Sequence, residues 1–301
     1  MARRSVLFTP GDRGEMQRKA VGMGADVVVF DLEDGVAPNA KDEARQTVRE
    51  TLRAIDPDCE VCLRVNATPE MAADDLDGVL SPDTDNDTDA DIDIGGALDP
   101  KTAPDSVMLP KADDAAAVQT LADQLDERGY DLPILALLES AAGILHAEAI
   151  AAADPTDAVL FGAEDLAGDI GALRTETGTE VLAARSQVVL AASAAGIDVV
   201  DTHYPDYEDL GGLDEDASFA LELGYDGKMA LHPDQVRVIN EAFTPPESRI
   251  EWAREILDAV EAAPEQAVFV VAGEMIDAPQ VRQAERIRER ARAAGRWDSG
   301  E

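Results

Sequence analysis

The chain has 301 residues, enough for one large domain or two small ones, and its hydrophobic fraction of 45% is that of an ordinary globular protein. The formal net charge of −38 argues against nucleic acid as a partner, because phosphate groups would be repelled. No apolar run is long enough to span a bilayer, and the first residues lack a signal-peptide core. We therefore expect a cytoplasmic protein with no membrane partner. A halophilic cytosol best explains the charge, because molar salt screens self-repulsion.

Eight short apolar or β-branched runs recur along the chain, each followed by a helix-like stretch. The runs cover residues 6–8, 27–32, 61–65, 107–109, 134–138, 158–161, 197–200 and 229–231. Amphipathic stretches between them include residues 40–55, 113–128, 143–153 and 181–195. Nearly continuous apolar runs are typical of parallel strands covered on both faces. The pattern predicts an α/β fold, a (β/α)₈ TIM barrel over residues 1–243, with a doubly wound sheet as the alternative.

Three further features are not explained by the barrel pattern: an acidic segment, the C-terminal segment and a pair of cysteines. Residues 81–100 are dense in Asp and Gly and predict an acidic surface loop, since the Gly and Glu of a calcium loop are misplaced. Residues 244–301 predict a helix near 250–262, a short run at 268–271 and a helix over 279–294. We expect this C-terminal helical extension to cap the barrel or contact a neighbouring subunit. Cys59 and Cys62 have no second Cys or His pair, so we expect reduced, structural thiols.

Polar side chains collect where the predicted strands end, which is where a barrel of this type holds its catalytic groups. They are Asp31, Glu33, Asp34, Arg64, Asn66, Lys111, Glu139, Glu164, Asp165 and Asp201. Any single acid at such a place could be a helix N-cap. Glu139 and Asp165, however, directly follow adjacent hydrophobic strands, and two converging carboxylates suit Mg²⁺, with Mn²⁺ as an alternative. Arg64 and Lys111 would supply positive charge for an anionic substrate.

Other motifs argue against several enzyme classes. His146, His203 and His232 do not share a metal-ligand spacing. His232 follows strand eight, where it would either meet a ligand or form structural hydrogen bonds. Ser140 has no G-x-S-x-G context, which removes the hydrolase triad. No P-loop occurs, and no G-x-G-x-x-G follows a strand, so nucleotide-binding motifs are missing from the sequence.

At these residues the sequence resembles the citrate lyase β-subunit-like group within the HpcH/HpaI aldolase family. The similarity runs nearly end to end and depends on many ordered blocks at the right separations. The blocks are Arg4-Ser5-Val6-Leu7-Phe8-Thr9-Pro10-Gly11, Gly24-Ala25-Asp26 through Phe30-Asp31-Leu32-Glu33-Asp34, Leu63-Arg64-Val65-Asn66, Met108-Leu109-Pro110-Lys111, Leu138-Glu139-Ser140-Ala141, Phe161-Gly162-Ala163-Glu164-Asp165-Leu166, Gly224-Tyr225-Asp226-Gly227-Lys228, His232-Pro233-Asp234-Gln235 and Gly273-Glu274-Met275-Ile276-Asp277. The acidic insertion before strand four departs from the usual pattern.

The resemblance implies roles for individual residues. Glu139 and Asp165 correspond to Mg²⁺ ligands, Glu139 also being counted as catalytic, and Arg64 corresponds to a catalytic residue that contacts substrate oxygens. Asp277 corresponds to an acid–base group that one subunit lends to the next, which implies a homotrimer or hexamer. Substrate contacts are expected from Asp34, Arg64, Lys111, Glu139, Gly162, Ala163 and Glu164. The CoA nucleotide is expected near Thr9, Pro10, Gly11, Arg13, Arg18 and Lys19.

The expected activity is Mg²⁺-dependent cleavage or formation of a 3-hydroxyacyl-CoA such as malyl-CoA, β-methylmalyl-CoA or citramalyl-CoA. The products would be a 2-oxo acid, glyoxylate or pyruvate, and an acyl-CoA. A malyl-CoA thioesterase and the β subunit of citrate lyase are alternatives within the enzyme class. A catalytically silent barrel that serves as an assembly partner is the alternative outside it.

Overall fold

Eight parallel strands close into a barrel in the order in which they occur along the chain. The structure, a computed structural model, describes residues 3–80, 103–263, 265, 266 and 268–297. The barrel strands are β1 (Ser5–Pro10), β2 (Val27–Asp31), β3 (Glu60–Arg64), β4 (Ser106–Leu109), β5 (Ile134–Leu138), β6 (Thr156–Phe161), β7 (Asp198–Asp201) and β8 (Gly227–Ala230). The predicted TIM barrel is confirmed, and the doubly wound alternative is wrong. The predicted acidic loop at 81–100 lies outside the described residues.

Helices follow the strands, as the alternation predicted. They are α1 (Gly14–Ala20), α2 (Lys41–Ala54), α3 (Pro69–Leu80), α4 (Ala115–Asp126), α5 (Ala141–Leu145), α6 (Ala147–Ala151), α7 (Ala163–Ile170), α8 (Leu182–Ala195), α9 (Leu210–Leu223) and α10 (Pro233–Phe243). The single helix predicted over 143–153 is two short helices, because His146 leaves helical geometry and its Nδ1 contacts the carbonyl oxygen of Asp113 at 2.8 Å. Within the described part of the chain, no helix is long and apolar enough to cross a membrane.

The barrel interior is filled by side chains that alternate along each strand with those facing the helices. The interior cluster contains Val6, Val27, Val29, Cys62, Met108, Leu135, Leu137, Ala158, Leu160, Val200 and Met229. Two residues beyond Val29, the same alternation places Asp31 on the inward face. Arg64 follows Cys62 and Glu139 follows Leu137 in the same way. The period of two therefore turns three charged side chains toward the mouth of the barrel.

The opposite end of the barrel is closed by a polar cluster. Arg3 Nε donates to Glu60 Oε2 at 2.8 Å, and Ser106 Oγ donates to Glu60 Oε1 at 2.6 Å. Arg3 Nη1 also lies 3.3 Å from Asp198 Oδ2. Because these groups satisfy one another, charge can be buried at the amino ends of the strands without leaving hydrogen bonds unmade.

Asp201, predicted as one of the strand-end polar residues, belongs to a structural network instead. Lys228 Nζ lies 2.7 Å from Asp201 Oδ2 and 2.5 Å from Asp216 Oδ2, and Arg185 donates to both oxygens of Asp201. The side chain faces away from the barrel interior because Val200, its neighbour, faces inward. The two cations balance the two carboxylates, so this network joins β7 and β8 to the helices outside them.

The chain divides into two compact units, residues 3–239 and the segment from Asn240 onward. The second unit contains α11 (Glu247–Ala262), an antiparallel hairpin of β9 (Phe269–Val271) and β10 (Glu274–Ile276), and α12 (Ala278–Ala293). Both predicted helices occur; β10 was not predicted. The hairpin turns at Ala272 and Gly273, both with positive φ, as a type I′ turn requires. The boundary predicted at 243/244 and the capping role stay predictions.

Cys59 and Cys62 are free thiols, as expected. Cys62 is fully buried in the barrel interior, and burial raises the pKa of both thiols, that of Cys59 to about 11. Both are therefore protonated at neutral pH and poorly nucleophilic.

Candidate active site

A pocket opens at the carboxyl ends of the barrel strands, where the sequence predicted the site. Its lining residues come from seven of the eight strands and the segments that follow them. They are Phe8, Asp34, Arg64, Leu137, Glu139, Gly162, Ala163, Glu164, Asp165, His203, Met229 and Leu231. The structure thus brings together Asp34, Arg64, Glu139 and residues 162–165, all of them predicted site residues.

Arg64 is held by a carboxylate that sequence reasoning placed at a strand end without giving it a role. Its Nε and Nη2 each donate to one oxygen of Asp31 at 2.7 Å, a bidentate pair that fixes the plane of the guanidinium. The guanidinium also lies over the ring of Phe8, 5.1 Å from its centre. Asp31 itself is fixed by the backbone N–H groups of Glu33 and Gly35, both at 2.8 Å. Arg64 therefore reaches the pocket in one set orientation.

Glu33 joins the two cations of the site. Its Oε2 lies 3.1 Å from Arg64 Nη1, an ion-pair contact without hydrogen-bond alignment, and its Oε1 accepts from Lys111 Nζ. Burial raises the pKa of Glu33, and the charges of Arg64 and Lys111 oppose that rise. Glu33 was noted in the sequence only as a polar strand-end residue.

Lys111 adopts a backbone conformation that is unusual for a residue with a side chain. Its φ of 49° is in the left-handed region, where such strain costs about 1–3 kcal/mol. This conformation directs the Lys111 backbone N–H toward Glu139 Oε1 at 2.9 Å, while Nζ lies 3.8 Å from Asp165 Oδ2. Lys111 therefore contacts both predicted metal ligands, one through its backbone and the other through its ammonium group.

Glu139 is buried beside other acids. Burial, followed by the charges of Glu33 and Asp165, raises its pKa to about 8, although the Lys111 backbone N–H opposes the rise. Gly162 provides the space: a Cβ at that position would come within 2.6 Å of Glu139 Cβ and 2.8 Å of its Oε2. The carboxyl group thus occupies a site with excess negative charge, which a cation would relieve.

Asp165 and Glu164 extend from the first turn of α7 and are more exposed than Glu139. Arg174 Nε donates to Glu164 Oε1 at 2.8 Å and thereby fixes one wall of the pocket. Among the described residues, no group of three or more His, Cys, Asp and Glu side chains is arranged to hold a metal. A cation at Glu139 and Asp165 would accordingly need oxygen ligands from water or substrate, which is common for Mg²⁺.

The residues predicted to bind the CoA nucleotide fall into two sets. Thr9 Oγ1 donates to the Val29 carbonyl at 2.8 Å. Gly11 approaches β2 so closely that a Cβ would lie 2.7 Å from the Asp31 carbonyl oxygen. With Pro10, which ends β1, these residues shape the start of the loop. The basic side chains that follow, Arg13, Arg18 and Lys19, are exposed.

The remaining predicted polar residues have different surroundings. Ser140 caps α5, its Oγ accepting from Gly143 N at 3.0 Å. The His232 Nδ1 accepts from Asp234 N at 3.2 Å. His203 lines the pocket although its spacing gave no signal. Asp277 is exposed at the start of α12, with its backbone N–H bonded to Gln280 Oε1 at 3.1 Å.

Fold and site together define a TIM-barrel enzyme with a carboxylate pair and an oriented arginine at the mouth of the barrel. The sequence profile of the HpcH/HpaI aldolase/citrate lyase family matches residues 4–233. The chain belongs to this family and is a carbon–carbon lyase, so the enzyme-class prediction is confirmed and the silent-barrel alternative is set aside.

Individual relatives support the same assignment along almost the whole chain. The mitochondrial citramalyl-CoA lyase of Mus musculus is 32% identical over 95% of this chain and 85% of its own length. The citrate lyase subunit beta of Escherichia coli is 33% identical over 97% of this chain and 94% of its own length. The crystal structure of CitE from Mycobacterium tuberculosis, in complex with magnesium, acetoacetate and coenzyme A, has a TM-score of 0.74 at 36% identity. That match covers 96% of this chain and 98% of the other.

Proposed function

We propose that this protein is a Mg²⁺-dependent lyase that cleaves or forms a 3-hydroxyacyl thioester of coenzyme A, with a 2-oxo acid and an acyl-CoA as the other partners of the reaction. The observation that carries the proposal is the meeting of Arg64, Glu139 and Asp165 in one pocket. The M. tuberculosis structure with magnesium, acetoacetate and coenzyme A supports it. Cytoplasmic location and a halophilic source stay predictions from composition.

The chemistry of the donors fits Mg²⁺. Glu139 and Asp165 offer carboxylate oxygens, the ligands that this hard cation prefers. Among the described residues that line the pocket, His203 carries the one imidazole, and none carries a thiol. The raised pKa of Glu139, caused by burial and by its acidic neighbours, is the electrostatic mark of a site that favours a cation. We propose these two residues as the metal ligands. When bound, Mg²⁺ would act as a Lewis acid on the substrate oxygens.

Arg64 would stabilise the negative charge that develops when the C2–C3 bond breaks. The guanidinium is preoriented by Asp31, so little reorganisation is needed as the charge appears. Lys111, which pairs with Glu33 and lies near Asp165, would keep the acidic wall from repelling an anionic substrate. Asp34, Gly162, Ala163 and Glu164 complete the proposed substrate contacts. The backbone of Gly162 and Ala163 would approach the substrate closely because neither carries a large side chain.

Asp277 is proposed as the group that protonates the acyl-CoA enolate carbon, and removes that proton in the condensation direction. In a homotrimer or hexamer this carboxyl would act on the site of a neighbouring subunit. Mixed oligomers test the idea. Arg64→Ala and Asp277→Asn are each expected to be inactive, and refolding them together should restore a measurable part of the activity. No recovery in verified mixed oligomers would place both residues in the same subunit's site.

The adenosine part of coenzyme A would bind near the start of the loop that follows β1. Exposed Arg13, Arg18 and Lys19 can form charge-assisted hydrogen bonds with phosphate groups. Thr9, Pro10 and Gly11 would set the course of the backbone there. Because the rest of the chain is strongly acidic, this small basic stretch gives a phosphate-bearing ligand a favourable approach.

The deciding assay offers the purified protein malyl-CoA, β-methylmalyl-CoA and citramalyl-CoA with Mg²⁺ in high salt. Release of glyoxylate or pyruvate supports the lyase, whereas free CoA with an intact hydroxy acid indicates a thioesterase. Asp165→Ala should lose turnover and Mg²⁺ dependence. Asp123→Ala, an exposed acid on α4, is the matched control and should keep both. Full Mg²⁺-dependent activity in Asp165→Ala would refute the metal assignment.

A further inference from the structure

The pocket has two chemically different halves that follow the order of the strands. Strands β2 to β6 contribute the charged half, with Asp34, Arg64, Glu139, Glu164 and Asp165. The neighbouring strands β8 and β1 contribute an apolar wall. That wall consists of Phe8, Met229 and Leu231, with Leu137 on the floor. A substrate whose oxygens face the carboxylate pair would therefore turn its remaining substituent toward hydrocarbon.

Three cations around the pocket, Arg64, Lys111 and Arg174, are already paired with carboxylates. Arg64 is engaged by Asp31 and Glu33, and Lys111 by Glu33 and Asp165. Arg174, behind Glu164, donates to Glu164 and Glu180. Of the described residues that line the pocket, Arg64 is the one arginine or lysine, against four carboxylates.

His203, between the two halves, does not add a positive charge. Burial lowers its pKa from the usual 6.5, so the imidazole is neutral at cytosolic pH. A second substrate carboxylate, turned toward the buried Met229, would lose hydration there. Among the described lining residues only Arg64 could replace it, and Asp31 and Glu33 already engage that guanidinium. A methyl group in the same place would gain contact with Met229 and Leu231.

We propose, building on the function proposed above, that the pocket selects a thioester whose hydroxyl-bearing carbon carries one carboxylate and one small apolar substituent. Citramalyl-CoA has this form, with a methyl group on that carbon, and its cleavage yields pyruvate. Citryl-CoA differs by a carboxymethyl group in place of the methyl, and its cleavage yields oxaloacetate. The apolar wall accepts the methyl group and rejects the second carboxylate.

The direct test compares kcat/KM for citramalyl-CoA and citryl-CoA at fixed Mg²⁺ and salt. We expect citramalyl-CoA to be favoured by about 100-fold or more, and malyl-CoA, which lacks the methyl group, to fall roughly 10-fold below it. Equal kcat/KM for citramalyl-CoA and citryl-CoA would overturn the proposal while leaving the lyase function intact.

The affinity of the protein for the oxo-acid products tests the proposal without requiring turnover. Calorimetric titration in the presence of Mg²⁺ should show pyruvate bound at least about 10-fold more tightly than oxaloacetate. If no thioester is cleaved, the proposed lyase function fails, but this preference still tests the pocket. Tighter binding of oxaloacetate than of pyruvate would overturn the selection of an apolar substituent.

Leu231 offers a variant that tests the charge argument itself. It is 49% exposed at the end of β8, so a longer polar side chain can be accommodated without opening the core. Leu231→Arg should raise the ratio of citryl-CoA to citramalyl-CoA kcat/KM at least about 10-fold, because the new cation can pair with the second carboxylate. Leu231→Met, the control, should keep the original preference. An unchanged ratio in a folded Leu231→Arg protein would overturn the role of this wall.

Discussion

The Glu139 carboxyl group should destabilise the metal-free protein, and replacing it with glutamine should reveal by how much. This side chain is 7% exposed and lies near the charges of Glu33 and Asp165, so its pKa is about 8 in the folded state rather than the ordinary 4.5. Between these two values the unfolded chain releases the proton and the folded chain keeps it. The free energy of unfolding therefore falls as pH rises through this window.

The size of the effect follows from the difference between the two pKa values. Each pH unit in the window lowers the free energy of unfolding by about 1.4 kcal/mol, which gives at most about 5 kcal/mol between pH 4.5 and pH 8. Above pH 8 the difference should be constant, because both states are then ionised. Glu139→Gln carries no titrating group here, and its amide oxygen can still accept from Lys111 N, so this pH dependence should vanish.

Urea unfolding at constant high salt with a chelator, from pH 5 to pH 9, measures the effect. Wild type should lose stability relative to Glu139→Gln as pH rises, while Glu148→Gln, at an exposed site on α6, should follow wild type. Adding Mg²⁺ should narrow the difference, since a ligand at 100 times its Kd adds about 2.7 kcal/mol to a protein that binds it. Parallel curves for wild type and Glu139→Gln across the whole range would refute the electrostatic account of this site.

Three other substitutions test the supports of the site. Asp31→Asn removes one side of the bidentate pair and should lower kcat about 100-fold with Mg²⁺ affinity nearly unchanged; equal loss of both would contradict a purely orienting role. Gly162→Ala forces a Cβ against Glu139 and should weaken Mg²⁺ binding, measured by calorimetry, about 10-fold, whereas Gly168→Ala, with open space around it, should not. Asp277→Asn should lose turnover while retaining pyruvate and Mg²⁺ binding; normal kcat would exclude it as the acid–base group.

The position of the charged residues that follow the barrel strands was predictable, because every strand of a barrel ends at the same mouth. The carboxyl ends of the parallel strands in a barrel meet at one mouth, so Glu139, directly after Leu138, and Asp165, four residues after Phe161, could be assigned to that mouth from the chain alone. The same rule placed Asp201 at the mouth, and there it was wrong. Whether a strand-end residue faces inward depends on the register of alternation, which Val200 fixes for β7.

The sequence by itself determined the barrel, the family and the acidic pair, because each depends on local patterns of apolar runs and of the residues that follow them. Only the tertiary structure decided that Asp31 orients Arg64, that Lys111 contacts both acids, and that β8 and β1 give the pocket an apolar wall. These contacts join residues far apart in the chain. The strength of these contacts depends on how deeply the side chains are buried and on how their hydrogen bonds are oriented. Both are fixed only when the strands close into the barrel.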